Sequence, residues 1–149
     1  MRTIKIPELK FSNWMKWDER DGYELKYFPG VYIISVTNKV LSEKYPSWND
    51  VVYIGMTISV GGLASRWRQF DRSINGKFGH SGGNSVYGDL GTYKKWRRSL
   101  YVGAMGIECN VEEPSEEDYI RMGWVAFFEY EAFSQYFNKT GKHPKYNRQ

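Results

Sequence analysis

The sequence predicts an α/β protein of the α+β type, with a small three-stranded antiparallel or mixed sheet flanked by helices. Three observations indicate this fold class. Two β-branched runs, at 30–34 and 51–55, each carry a tyrosine and a glycine. A third segment, 99–111, partly alternates apolar and polar residues as strands do. Two further segments have the apolar spacing or the capping residues of helices.

The length of 149 residues suits one domain with its own core. We divide the chain into a lead-in, 1–28, that packs on a domain formed by 29–149. The apolar runs are far shorter than the ~20 residues of a membrane span, and the N-terminus lacks the apolar centre of a signal peptide. The single cysteine, Cys109, excludes an internal disulfide framework. We therefore expect a soluble, cytoplasmic protein without a membrane partner.

The net charge of +4 conceals a strong asymmetry along the chain. Residues 66–98 contain eight basic and two acidic side chains, whereas residues 108–131 contain eight acidic and one basic. A basic middle segment is typical of a surface that attracts polyanions such as nucleic acid. Two solvated helix faces of opposite charge are the alternative interpretation, and the acidic segment could instead serve a protein-interaction domain.

The first two strands are predicted to be neighbours. Pro29 and Gly30 mark a turn into the first strand, and the 21 positions from Tyr32 to Tyr53 suit two antiparallel strands joined by a loop. Alternation places Tyr32 on one face with Ile34, and Tyr53 with Val51 and Gly55. The two phenols can therefore face one groove, although strands favour tyrosine for structural reasons too.

The segment after the second strand has helical periodicity. Its apolar residues recur at i, i+4, i+7 and i+11, namely Leu63, Trp67, Phe70 and Ile74. Arg66 lies at the edge of this stripe, from which it can reach over the sheet toward the tyrosines. Residues 76–91 contain six glycines and are predicted to form a flexible loop. This loop is not a phosphate-binding P-loop, because the closing Gly-Lys-Ser/Thr is absent.

The segment 93–98 combines aromatic and basic residues. Such a combination suits phosphate contact and stacking on bases or sugars, although a solvated helix with Trp96 turned inward fits equally well. Together with basic residues earlier in the middle segment, its cations form the predicted nucleic-acid-binding set. This set comprises Arg68, Arg72, Lys77, Lys94, Lys95, Arg97 and Arg98.

The last helix is predicted from its ends. Ser115 is a good N-cap and is followed by three acidic residues, which favour the first turn of a helix. The helix should continue to about residue 137 or 139 and stop near Gly141. Gly123 is expected to bend or break it.

These features together resemble the GIY-YIG nuclease superfamily. The resemblance rests on Gly30-Val31-Tyr32, Tyr53-Ile54-Gly55, Arg66 on the next helix, a glutamate on a late helix, and a terminal Pro-x-x-Asn at 144–147. Each motif is short, but all five occur in the family's order and cover about residues 29–147. The resemblance implies a small sheet flanked by helices and metal-dependent cleavage of phosphodiester bonds. It also implies catalytic roles for Tyr32, Tyr53, Arg66 and Asn147.

The resemblance leaves two positions to be assigned. Family members carry apolar residues three, four and seven positions after the glutamate, which Glu129 satisfies and Glu131 does not. Glu129 is therefore the expected metal ligand. Many members also have a histidine one turn after the arginine, where this chain has Phe70. Lys77 or His80, from the glycine-rich segment, is expected to replace it.

A function follows from the resemblance. The expected activity is a DNA endonuclease dependent on Mg²⁺ or Mn²⁺, of a stand-alone restriction-like, phage or mobile-element type. A single carboxylate can hold Mg²⁺ when water and phosphate complete the octahedron. The tyrosines would activate or orient the attacking water. The alternative is an inactive nucleic-acid-binding module of the same fold, and a homodimer is an expected form because two sites would cut both strands.

Overall fold

A computed structural model of the chain describes residues 4–147. The outer limits of the predicted lead-in and domain, at 1–3 and 148–149, lie outside the described residues. The strands are β1 (Met15–Lys16), β2 (Gly30–Val36), β3 (Tyr53–Thr57) and β4 (Leu100–Gly106), and the helices are α1 (Gly62–Ile74), α2 (Ser81–Leu90) and α3 (Glu116–Thr140). In the described part of the chain, no helix has the length and apolar character needed to cross a membrane.

The sheet has four strands in the order β1-β4-β2-β3, and every neighbouring pair is antiparallel. The predicted combination of helices with a small sheet is confirmed, but the prediction of three strands is wrong. The lead-in supplies the fourth strand, pairing Met15 with Val102. Trp14 and Trp17 flank this short strand and are 1% and 0% exposed, so their burial holds the lead-in across β4.

The two tyrosine strands pair as predicted. Tyr32 lies opposite Gly55, and Ile34 opposite Tyr53, so both tyrosines occupy one face of the sheet with Ile34. The placement of Val51 on that face is wrong, because it packs in the core of the opposite face. A 3₁₀ turn at Trp48–Asp50 precedes it and β3 begins only at Tyr53, so strand alternation does not extend back to Val51.

The helices cover the two faces of the sheet. On the tyrosine face, Leu63, Trp67, Phe70 and Ile74 of α1 and Val86 of α2 are buried in one core. On the other face, α3 buries Val125, Phe128, Ala132 and Tyr136. The apolar stripe predicted for α1 is therefore confirmed.

The last helix also begins and ends as predicted. Ser115 and Asp118 form a reciprocal capping box at its N-terminus. Gly141 terminates it in the left-handed region with φ 72°, where glycine is favoured. The expected break at Gly123 is wrong, since α3 is continuous from Glu116 to Thr140.

The prediction of a flexible loop at 76–91 is wrong for most of its length, because Ser81–Leu90 form α2. The His80 side chain caps this helix by accepting a hydrogen bond from the Gly83 N–H. Its glycines permit close packing, since a Cβ atom on Gly82 would lie 2.4 Å from a Tyr53 ring carbon. A Cβ atom on Gly83 would lie 2.6 Å from the Ser73 Cβ.

The segment 93–98 forms two 3₁₀ turns, Tyr93–Lys95 and Arg97–Ser99. Tyr93 is buried, and Trp96 packs on it while donating a hydrogen bond to the Gly91 carbonyl. Of the two interpretations, the inward-turned Trp96 is the observed one, although in turns and not in a regular helix. Neither ring is arranged as a free stacking platform.

Candidate active site

The two motif tyrosines lie side by side on the sheet. Their ring centroids are 6.1 Å apart, and their exposed fractions are 0% for Tyr32 and 7% for Tyr53. Both rings cover Gly55, because a Cβ atom there would lie 2.6 Å from Tyr32 Cζ and 2.8 Å from a Tyr53 ring carbon. The glycine of the second motif is therefore required by the contact between the tyrosines and the backbone of β3.

His80 forms a hydrogen bond with Tyr32, with 2.8 Å between His80 Nε2 and the Tyr32 hydroxyl oxygen. The other ring nitrogen, Nδ1, accepts a hydrogen bond from the Gly83 N–H at 3.2 Å. An accepting Nδ1 carries no proton, so the neutral ring carries its proton on Nε2 and donates it to Tyr32. The backbone N–H of His80 donates to Ser73 Oγ at 2.8 Å, which fixes the position of the residue.

The environment of His80 favours the neutral ring. Burial, followed by the positive charge of Arg66, lowers the pKa of His80 to about 3. The imidazole is therefore neutral at physiological pH and serves as a hydrogen-bond donor to Tyr32. The Tyr32 oxygen accepts this bond, which leaves its own O–H proton free to point elsewhere.

Arg66 is the common neighbour of the candidate residues. Its guanidinium lowers the pKa of Tyr32, Tyr53, His80 and Glu129 alike, so its charge acts on all four. Burial is the larger effect on both phenols and raises the pKa of each above its ordinary value of 10. Arg66 also donates a hydrogen bond of 2.7 Å to Gln69 Oε1, one turn along α1.

The structure brings Glu129 to this group, whereas Glu131 lies elsewhere. Burial raises the pKa of Glu129 and the Arg66 charge opposes this rise, while the Glu129 charge in turn raises the pKa of Tyr53. β3 is an edge strand of the sheet, and α3 packs against it. Glu131 instead lines a cavity of about 320 Å³ beside Trp48.

The candidate site would offer a metal ion a single carboxylate, that of Glu129. Within residues 4–147, no group of three or more His, Cys, Asp or Glu side chains is arranged to hold a metal ion. Mg²⁺ does not require such a group, since it retains several waters and commonly uses one or two carboxylates with substrate phosphates. The carboxylate of Glu129 would suit this mode of binding.

Phe70 occupies the position at which members of the family that the sequence resembles commonly have a histidine. Its ring is buried and lies edge-on to His80, with 5.1 Å between the ring centroids. The His80 imidazole thus reaches the site from the N-terminus of α2. It contacts Phe70, which stands on α1 where a histidine was expected. Lys77, the other expected substitute, is exposed, and nothing in the described residues links its side chain to the tyrosines.

Asn147 binds the backbone of β3. Its side-chain amide accepts a hydrogen bond from the Ile54 N–H at 2.9 Å and donates one to the Ile54 carbonyl at 2.8 Å. These two bonds tie the C-terminal tail to β3. Asn147 forms no hydrogen bond with a tyrosine hydroxyl in the described structure.

The predicted nucleic-acid-binding side chains are all exposed: Arg68, Arg72, Lys77, Lys94, Lys95, Arg97 and Arg98. Arg68 and Arg72 share α1 with Arg66. Arg97 is held by a 2.8 Å ion pair with Asp18.

Sequence reasoning missed the residues that hold the candidates in position. Gln69 could have been found, because residues three apart on a helix are neighbours. Ser73 and Gly83, which bind His80, carried no such local signal, since they meet it only through the packing of α2 on α1. In comparisons with protein-family models, curated proteins and solved structures, the chain has no match.

Proposed function

We propose that the chain is a metal-dependent DNA endonuclease with a GIY-YIG-like fold, of a stand-alone restriction-like, phage or mobile-element type. The observation that carries this proposal is the convergence of Tyr32, Tyr53, His80 and Glu129 on the charge of Arg66. These residues come from β2, β3, the N-terminus of α2, α3 and α1. Such a function would be exercised in the cytoplasm.

Each side chain has a chemical role in this proposal. The fork of Arg66 is suited to two oxygens of a phosphate and to the charge that develops on it. The hydrogen bond from neutral His80 and the charge of Arg66 both favour the phenolate form of Tyr32, which would orient or deprotonate the attacking water. Glu129 would hold Mg²⁺ or Mn²⁺, which when bound supplies Lewis-acid stabilisation of the phosphate and leaving oxygen.

The positive charge of α1 and of the residues after it supports a polyanionic substrate. Arg68 and Arg72 are exposed on the same helix as Arg66, and Lys77 follows that helix. Arg68 and Arg72 lie about 200° and 240° around the helix from Arg66. They would therefore attract DNA through the overall positive field of this region and not within the site itself.

A second candidate is a nucleic-acid-binding module without turnover. The burial of Tyr32 favours it, because a side chain with 0% exposure cannot touch a substrate unless neighbouring residues move. Burial also raises the pKa of Tyr32 well above 10, which opposes its use as a base.

The test is cleavage of supercoiled plasmid in Mg²⁺ or Mn²⁺ by the wild type and three variants. Glu129→Gln and Arg66→Ala should each lower the rate by about 100-fold or more, as loss of a charge-stabilising group does in other enzymes. Glu131→Gln is the matched control, on the same helix but lining a different cavity, and should retain the wild-type rate.

Two outcomes would overturn the proposal. Cleavage that is equally fast in Glu129→Gln and Arg66→Ala would exclude this site as its source. Salt-dependent DNA binding without any product, and without an effect of metal, would assign the chain to the non-catalytic module.

A further inference from the structure

The outer face of α3 carries an exposed apolar stripe. Residues spaced alternately by three and four positions line it, and all are exposed: Ile120, Gly123, Phe127, Tyr130, Ser134 and Phe137. The large members expose much of their surface, from 39% for Ile120 to 74% for Tyr130. This alternation is the heptad spacing with which helices pair along a seam.

Among the described residues, no strand or other helix packs on this stripe, and the His143 ring contacts one end of it, with 5.3 Å between its centroid and that of Phe137. The residues that α3 packs on the sheet, Val125, Phe128, Ala132 and Tyr136, lie on the opposite side of the helix. A buried aromatic side chain covers about 150–250 Å², and Phe127, Tyr130, Phe137 and the adjacent Tyr119 are each about half to three-quarters exposed. Their exposed surface therefore amounts to roughly 360–600 Å². This is a large part of the ~800 Å² that each partner contributes to a standard interface, and continuous apolar patches of this size mark interaction sites.

The stripe is complementary to a second copy of itself. Its spacing of three, four, three, four and three residues reads the same in both directions from a point between Phe127 and Tyr130. In an antiparallel pair, Phe127 would oppose Tyr130, Ile120 would oppose Phe137, and Gly123 would oppose Ser134. Large residues thus meet large ones and small residues meet small ones, which an isologous interface requires.

The charges at the two ends of α3 favour the same orientation. The first turn is acidic and includes exposed Glu116, whereas the end of the helix is basic, with exposed Lys139 and Lys142 just beyond it. Antiparallel pairing would bring each acidic end to a basic end. It would also make the two helix dipoles point in opposite directions, which is the favourable arrangement. Parallel pairing would bring like charges together.

We propose that the chain forms a homodimer through antiparallel pairing of the outer faces of α3. The partner is a second copy of this chain, because both the residue spacing and the end charges are self-complementary. This inference does not depend on the proposed nuclease activity.

The first test is sedimentation equilibrium of the full chain over a range of concentrations. We expect a dimer at about 10 µM, and Phe127→Glu should weaken its dissociation constant by 100-fold or more, as loss of a central aromatic does in other interfaces. Phe78→Glu is the matched control, since Phe78 is 75% exposed but lies outside the stripe. Circular dichroism verifies that each variant is folded, and Tyr130→Glu repeats the test at the opposing position.

The second test uses disulfide formation to determine orientation, in a Cys109→Ser background. A mixture of Ile120→Cys and Phe137→Cys proteins should form a disulfide between the two, whereas each protein alone should form none. A wild-type chain that is monomeric at ~0.1 mM would overturn the proposal, as that concentration exceeds any specific dissociation constant of interest. Disulfides that join identical variants, with none between the two different variants in the mixture, would overturn the antiparallel arrangement. A folded Phe127→Glu dimer of undiminished affinity would exclude this face.

Discussion

The buried histidine makes the stability of this protein dependent on pH in a way that can be measured. Replacement of His80 by asparagine retains a side chain that can cap α2 by accepting the Gly83 N–H, but removes the only titratable group at that position. At pH 7 the variant should be about 1–3 kcal/mol less stable, because the Tyr32 hydroxyl loses its buried partner. As the pH falls, this difference should shrink.

The sign and size follow from the two states of the histidine. In the unfolded chain His80 takes up a proton near its ordinary pKa of 6.5, whereas in the folded chain its pKa is about 3. The folded pKa is the lower one, so the stability that neutral His80 contributes is complete above pH 6.5 and is lost as the pH falls toward 3. At 1.36 kcal/mol per pKa unit, the loss between pH 7 and pH 4 is about 3 kcal/mol.

The assay is urea denaturation of wild type and His80→Asn at intervals from pH 7 to pH 4. Groups common to both proteins, such as Asp89 and Asp118, cancel in the difference between their unfolding free energies. The other histidine, exposed His143, provides the control, and His143→Asn should track the wild type across the range. Parallel curves for wild type and His80→Asn would refute the burial of a neutral imidazole against Tyr32.

Two further substitutions test the surroundings of the site. Gly55→Ala should lower the unfolding free energy by about 1–3 kcal/mol, because the added methyl would lie 2.6 Å from Tyr32 Cζ and must displace a ring; a urea midpoint equal to the wild type would contradict this. Asn147→Ala removes both hydrogen bonds to Ile54 and should cost about 1–3 kcal/mol, measured in the same way, and a loss below ~0.5 kcal/mol would show that water replaces the amide.

Features with strong local periodicity were predictable from the sequence. The tyrosine strands are β-branched runs, and both α1 and α3 carry an apolar stripe or clear capping residues, so their existence follows from short-range rules. β1 has only two residues and forms because Trp14 and Trp17 are buried. α2 contains three glycines among its ten residues, a composition that normally indicates a loop, and packing on Tyr53 and Ser73 overrides that tendency.

The residues of the candidate site were likewise predictable only in part. The motif spacing was enough to select Tyr32, Tyr53, Arg66 and Glu129, and the stripe following Glu129 is observed as buried Ala132 and Tyr136 with partly buried Phe133. The hydrogen bond between His80 and Tyr32 joins residues 48 positions apart. Its direction depends on the capping bond to Nδ1, and no periodic pattern in the sequence encodes that bond.

The C-terminal tail affects the tendency of this protein to pair with strands of other chains. β3 is an edge strand of the sheet, and an edge strand presents unpaired N–H and C=O groups that can recruit foreign strands. Here the Tyr146 N–H donates to the Val52 carbonyl at 2.9 Å, and the Asn147 amide satisfies both backbone groups of Ile54. The tail thus takes the place of a fifth strand over part of this edge and shields it from the edge-to-edge pairing that leads to aggregation.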